Sequence, residues 1–207
     1  MRFRILRNFL LSAVFSLLAF AGFAQTITPS SGSISSFNST YGEPSLTVRN
    51  FTFSGSGFTP GQPAVVIANA ESEISTALGG PYTSSVSINS DGSGNVASTT
   101  IYVRTSEATI PGSYTSRVIR IENSIGTLLA TRTISAITVG NRTLDIIHVA
   151  IQNKVYDGNS SATITNDGSP IALDNLRTAD IGNVTLNMSG ASASFIDANV
   201  GVAKNVT

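Results

Sequence analysis

The side chains able to do chemistry are few in this chain, and their spacing limits what they can do together. His148 is the one histidine, flanked by Ile147 and Val149 in a segment of strand character. A nucleophilic relay needs an imidazole beside a hydroxyl or thiol on a strained turn, yet there is no cysteine and no Gly-x-Ser-x-Gly elbow. His148 therefore reads as a solvent-facing or hydrogen-bonded strand residue, and a metal site built on several histidines is excluded. Glu71 and Glu73 stand two apart, so in a strand both carboxylates share one face at about 7 Å, a separation compatible with paired-carboxylate glycoside hydrolysis. Catalytic pairs normally come from separate elements lining a cleft, and no Trp is present to stack on a sugar. The preferred reading of the two glutamates is a solvated edge or loop.

Asp91-Gly-Ser-Gly-Asn95 offers oxygens at alternate positions, like the start of a calcium loop. The bidentate Glu that completes such a loop is missing, because position 102 is Tyr, so a hairpin turn is expected. Asp157, Asp180 and Asp197 would meet on calcium only if the fold brought them together. No catalytic, cofactor-binding or metal-binding residue is assigned from the sequence, and no cofactor is expected. Seven Asn-x-Ser/Thr sequons (Asn38, Asn50, Asn141, Asn159, Asn183, Asn187 and Asn205) follow from a Ser/Thr content of 53 in 207 residues.

The elements that must carry these residues are strands. Ser, Thr and 18 Gly with few Lys or Glu favour short strands and polar turns over helices. From Thr26 to Ser45 the chain reads as a loop-like lead-in, with an edge strand near Ile34 and Phe37. Leu46 to Phe53 places large side chains at intervals of two, with one slip at Arg49-Asn50 that suggests a bulge. Ala64 to Ala68 is a short buried strand. Ser84 to Asn89 and Val96 to Arg104 read as a hairpin about the Asp91 loop, with Ile101 and Val103 facing the core and Tyr102 turned away. Tyr114 to Glu122 and Leu128 to Val139 form a second hairpin through Asn123-Ser-Ile-Gly126. Turn signals every 8 to 15 residues describe two packed antiparallel sheets. At Gly140-Asn141-Arg142 the pattern restarts. Strands are expected at Leu144 to Val149, Ala162 to Thr165, Val184 to Met188, Ala193 to Ile196 and Lys204 to Val206, and this second module reads as cut short.

The first residues look like an export signal. Arg2, Arg4 and Arg7 precede an apolar stretch from Phe9 to Phe20, and Gly22 and Ala24 are the small residues a signal peptidase accepts. That stretch is too short for a spanning helix of about 20 residues. Cleavage after Ala24 would leave 9 basic and 12 acidic side chains, a formal charge of −3. Such a surface does not attract phosphate backbones or anionic lipid, so neither nucleic acid nor membrane insertion after cleavage is expected.

Two resemblances add to this reading. Lys154-Val-Tyr-Asp-Gly-Asn159, Asp180, Val184-Thr-Leu186 and the run from Ala193 through Asp197, Asn199, Gly201 and Lys204 to Val206 closely resemble the YDG repeat. That repeat occurs in tandem in large bacterial surface proteins, including filamentous-haemagglutinin-like adhesins. This chain departs from the pattern by lacking the strand that follows the lysine segment. Residues Phe53 to Phe58, Glu73-Ile-Ser75, Ser84 to Ile88, Thr100 to Arg104 and Pro111-Gly-Ser-Tyr114 are similar to Ig-like repeats of secreted Gram-negative proteins. There the usual aromatic stands where this chain has Glu71-Ser72.

The expected organisation is a signal peptide over 1–24, a Ser/Thr-rich lead-in over 25–45, an Ig-like β-sandwich over 46–140 and a partial YDG β module over 141–207. The resemblances imply an all-β, non-enzymatic module of an exported multidomain surface protein that spaces or presents adhesive regions. Its expected partners are neighbouring β modules of the same polypeptide and a host or matrix protein or glycan. The competing readings are an accessory domain of a secreted hydrolase and a carbohydrate-binding sandwich.

Overall fold

The computed structural model describes residues 24–207; the expected signal peptide lies almost wholly outside them. The chain is all-β, with one short 3-10 turn among the described residues. The described residues divide into two units, 24–141 and 142–207.

In the first unit the strands are β1 (Thr26–Pro29), β2 (Phe37–Thr40), β3 (Arg49–Ser56), β4 (Pro63–Ile67), β5 (Ser72–Ser75), β6 (Ser85–Asn89), β7 (Val96–Thr105), β8 (Gly112–Asn123) and β9 (Leu128–Gly140). They form a four-stranded sheet ordered β1-β3-β7-β5 and a five-stranded sheet ordered β2-β9-β8-β4-β6. All neighbours are antiparallel except β2, which runs parallel to β9. Alternate apolar side chains of both sheets meet in a dry core: Phe53 and Ile74, Ile101 and Val103 from one sheet, Phe37, Val66, Ile119, Ile121, Ile134 and Ile137 from the other, each at most 1% exposed. Period-two alternation fixes register here, because a slip of one residue would turn every one of these side chains to water.

Several expectations change at this level. The lead-in is an integral part of the sandwich: Ile34 bridges Ile134 and Phe37 is buried in the core, while β1 pairs along β3. The expected edge strand is β2. The alternation from Leu46 does not mark one strand, for Leu46 is fully exposed and pairing begins at Arg49. The irregularity sits between Phe53 and Gly55 rather than at Arg49-Asn50. It falls where β1 lies alongside, since a Cβ at Gly55 would lie 2.7 Å from Ile27 Cδ1 and 2.8 Å from the Thr26 carbonyl oxygen. Strands β6 and β7 are not a hairpin. The Asp91 loop carries the chain from one sheet to the other, so β6 pairs with β4 and β7 with β3 and β5. A turn signal specifies reversal of direction, and long-range pairing chooses the partner. The second expected hairpin, β8 with β9, forms, and Tyr102 is turned off the core as expected.

The second unit contains β10 (Asp145–Ile147), β11 (Val149–Ile151), β12 (Ser161–Ala162), β13 (Ile164–Asn166), β14 (Ala172–Asp174) and β15 (Ala193–Ser194). These pair as β10-β14, β11-β13 and β12-β15. The expected strand from Leu144 to Val149 is broken at His148, whose φ of 64° lies in the left-handed region and moves the chain from one partner to another. Val184 makes only an isolated bridge to Ile181, so the strand expected there is absent, and the one expected at Lys204 to Val206 is reduced to a bridge between Phe195 and Val206. No residue of this unit is buried.

Replacing Phe37 by Ala should remove about 3–5 kcal/mol of stability from the first unit in urea unfolding, whereas Leu46→Ala should change it by less than about 0.5 kcal/mol. Equal, small effects would mean that the lead-in does not belong to the core.

Candidate functional site

The two glutamates of the first unit are each committed to an arginine. Glu73, in β5, accepts a hydrogen bond from Arg104 Nε at 2.6 Å, and Glu71, just before β5, accepts one from Arg117 Nη2 at 3.0 Å. Arg104 lies on the neighbouring strand β7, so its pair stays within one sheet. Arg117 lies on β8, so its pair ties the edge of one sheet to the other. Each guanidinium also stacks on a tyrosine: Arg104 is 4.0 Å from the Tyr82 ring centroid and Arg117 is 5.3 Å from that of Tyr114. Burial raises the Tyr82 phenol above its ordinary value. Both tyrosine hydroxyls donate to the carbonyl four residues back, Leu78 and Ile110. The cluster is a pair of Glu-Arg-Tyr stacks, and its carboxylates serve as ion-pair partners of arginine.

Asp91 is committed in another way. Its Oδ1 accepts the backbone N–H of Ser93 at 2.8 Å and of Asn95 at 2.9 Å, which closes the loop between sheets and holds the carboxyl below its ordinary value. Gly94 in this loop has φ 78°, and a Cβ there would lie 2.1 Å from the Phe58 carbonyl oxygen. The oxygens that resembled the start of a calcium loop thus serve an inter-sheet crossing.

In the second unit His148 Nδ1 is 3.1 Å from Asp167 Oδ2, an exposed pair that lowers the Asp167 carboxyl. Lys154 and Lys204 shape the two most conspicuous loops. The Lys154 ammonium lies 2.8 Å from Asp157 Oδ1, donates to the Ser161 carbonyl at 3.0 Å and the Asn159 carbonyl at 3.2 Å, and also contacts the Asn159 side-chain oxygen. The Lys204 ammonium donates to the Asn199 carbonyl at 2.6 Å and the Asp197 carbonyl at 2.9 Å, and also contacts the Asp197 carboxylate. In each loop the aspartate also accepts the N–H of the asparagine two residues on, at 3.1 Å for Asn159 and 2.7 Å for Asn199. In both loops an ammonium lies against an Asp-x-Asn turn and makes charge-assisted hydrogen bonds to its oxygens.

Asp157 and Asp197 line one cavity of about 470 Å³, and Asp180, in the 3-10 turn Thr178–Asp180, is not among its lining residues. Among the described residues no group of three His, Cys, Asp or Glu side chains is arranged to hold a metal. The sequence singled out these aspartates and missed the two lysines as their partners. The signal available was the recurrence of an Asp-x-Asn triplet with a lysine three residues before one and five after the other.

Residues 140–207 match the family model described as YDG domain, which supports reading this as a YDG-containing chain. Comparison with curated proteins finds no match. Among solved structures the chain is similar to the CooA pilin subunit from enterotoxigenic Escherichia coli, at 14% identity and a TM-score of 0.32, over 57% of this chain and 99% of the pilin chain. Values this low carry no argument about function.

Hydrogen bonds to Lys154 and Lys204 lower the Asp157 and Asp197 carboxyls below the ordinary value of 3.8. A carboxyl lowered in the folded state stabilises it above that value and loses the contribution as pH falls through the folded pKa. The second unit should therefore loosen in acid below about pH 4. The double variant Asp157→Asn/Asp197→Asn should be less stable at neutral pH and show a flatter acid dependence, followed through the amide resonances of residues 154–161 and 196–206. An acid profile identical to that of the wild type would show that the lysine pairs contribute nothing.

Proposed function

We propose that the chain is a non-enzymatic scaffold from an exported multidomain surface protein, in which β modules space or present adhesive regions. The observation that carries this reading is the commitment of the candidate carboxylates. Glu71 and Glu73 are held by arginines, Asp91 by backbone amides, and Asp157 and Asp197 by lysines. General acid-base chemistry needs a carboxyl tuned toward neutrality in a cleft, whereas the shifts at the aspartates run the other way. The YDG match over residues 140–207 supports the same reading through the resemblance to tandem-repeat surface proteins.

Export is supported by Arg2, Arg4 and Arg7 ahead of an apolar stretch, and by the small residues Gly22 and Ala24. In the folded unit, Gln25 Oε1 accepts a hydrogen bond from the Asn123 side chain at 2.8 Å, and β1 begins at Thr26. Cleavage after Ala24 would leave that bond and the whole of β1 intact. No helix among the described residues is long and apolar enough to cross a membrane. The seven sequon asparagines are all exposed, and a bacterial export route would leave them unmodified.

Expressed in a Gram-negative host, the chain should be recovered outside the cytoplasm with Gln25 as its first residue by N-terminal sequencing, and Ala24→Leu should block processing. A chain retained in the cytoplasm with Met1 intact would refute the export half of the proposal. Hydrolysis of glycan or peptide substrates by the purified protein, lost in Glu71→Gln or Glu73→Gln, would refute the non-enzymatic half.

A further inference from the structure

The five-stranded sheet of the first unit ends on β6, whose inner edge pairs with β4 and whose outer edge pairs with no strand among the described residues. The pairing shows which groups are free. Ala68 N–H donates to the Ser84 carbonyl and Ser90 N–H to that of Gln62, so residues 84, 86, 88 and 90 turn their peptide groups toward β4. Ser85, Ser87 and Asn89 therefore turn theirs outward. Among these outward groups only the Ser85 carbonyl has a partner, the Thr83 hydroxyl at 2.7 Å. The side chains of Val86 and Ile88 pack against the core, while Ser85, Ser87 and Asn89 are exposed. Folded proteins usually blunt an open edge with a charge, a proline, a bulge or a covering segment. The other edges of this sandwich show such devices: β1 ends in Pro29, the turn after β2 carries Glu43, and Thr83 exchanges two backbone hydrogen bonds with Ile74 on the outer side of β5. Strand β6 has neither proline nor bulge, and no charged residue occurs from Ile74 to Ser90.

We propose that β6 pairs with β6 of a second copy, antiparallel about a two-fold axis at Ser87, so that two five-stranded sheets join edge to edge. What favours a second copy is the complementarity of this strand to itself. With Ser87 opposite Ser87, Ser85 falls opposite Asn89, and each outward N–H and C=O meets its counterpart on the other strand. This register engages all three outward residues at once. It also sets Val86 opposite Ile88 on the face that packs against the core, so the apolar face continues across the junction. A foreign strand would have to reproduce both patterns, whereas a second copy carries them by symmetry. No like charges meet along the paired segment.

A single strand pair is smaller than the interface of a permanent dimer, so the association is weak and depends on concentration. Its strength comes from main-chain hydrogen bonds, as when a peptide strand adds to an open sheet edge. It involves the first unit alone and does not rest on the export or adhesion reading.

The chain has no cysteine, so a single introduced thiol reports its own neighbourhood. Residues of an antiparallel hydrogen-bonded pair have Cα atoms about 5.5 Å apart, within disulfide reach. Under mild oxidation the full chain carrying Ser87→Cys should form a disulfide dimer about tenfold faster than one carrying Thr131→Cys, an exposed position of β9. From about 0.05 mM to about 1 mM the wild-type sedimentation coefficient should rise toward that of a dimer. Over the same range amide hydrogen exchange should slow more at Ser85, Ser87 and Asn89 than at Val86 and Ile88, which already bond to β4. Ser87→Lys sets two ammonium groups face to face on the axis and should abolish both effects. Its exposed position leaves folding unaffected, which an unchanged circular dichroism spectrum checks. Cross-linking no faster at position 87 than at 131, a wild-type chain that stays monomeric throughout, or association undiminished by Ser87→Lys would each overturn the proposal.

Discussion

A lysine ammonium folded back into the loop beside it is the interaction on which the second unit most depends. The first unit does not need such a device, because Phe37, Phe53, Ile101 and their neighbours give it a dry interior between two sheets. The second unit has no buried residue, and its strands are two or three residues long. Short two-stranded ladders are marginal in water by themselves. Residues 154–161 and 196–206 are each crossed by an ammonium that donates to several oxygens at once. Charge-assisted hydrogen bonds of this kind are directional, so they fix loop shape as well as adding cohesion.

The same economy of charge runs through the first unit. Only 12% of residues are charged, and the carboxylates that looked reactive in isolation are each neutralised by a neighbour in the folded chain. Glu71 and Glu73 show how the environment decides a role. Two residues apart in sequence, they pair with arginines from different sheets, so that Glu73 and Arg104 join neighbouring strands of one sheet while Glu71 and Arg117 tie that sheet's edge to the other. The cation-π stacks on Tyr82 and Tyr114 hold those arginines in place. The carboxylates of Glu71 and Glu73 are thus held in fixed pairs with arginine.

The legible part of the fold was whatever depends on neighbours in sequence. Alternation in Ala64 to Ala68, in Ile101 and Val103, and in the β8-β9 hairpin follows from the pleat of a strand half-buried against a core. The exposure of Leu46, the partner switch at His148 and the reassignment of β6 and β7 to different sheets have no local signature. Asp91-Gly-Ser-Gly-Asn95 is the same turn whether the next strand returns to its predecessor or crosses to the opposite sheet. The choice lies with β3 and β5, which flank β7 and bury Ile101 and Val103. The lead-in was legible in part: an edge strand near Ile34 and Phe37 was expected, but its parallel pairing with β9 and the burial of both side chains in the core follow only from tertiary contacts.

By itself the sequence determined the all-β character, the restart near Gly140, the apolar stretch behind three arginines and the scarcity of reactive groups, because composition and short-range spacing suffice for each. Only the tertiary structure decided which strand pairs with which, which cation takes Glu71, Glu73, Asp157 and Asp197, and that Lys154 and Lys204 come to line one cavity. Those outcomes depend on distances between residues far apart in the chain, and such distances exist only once the backbone has closed on itself.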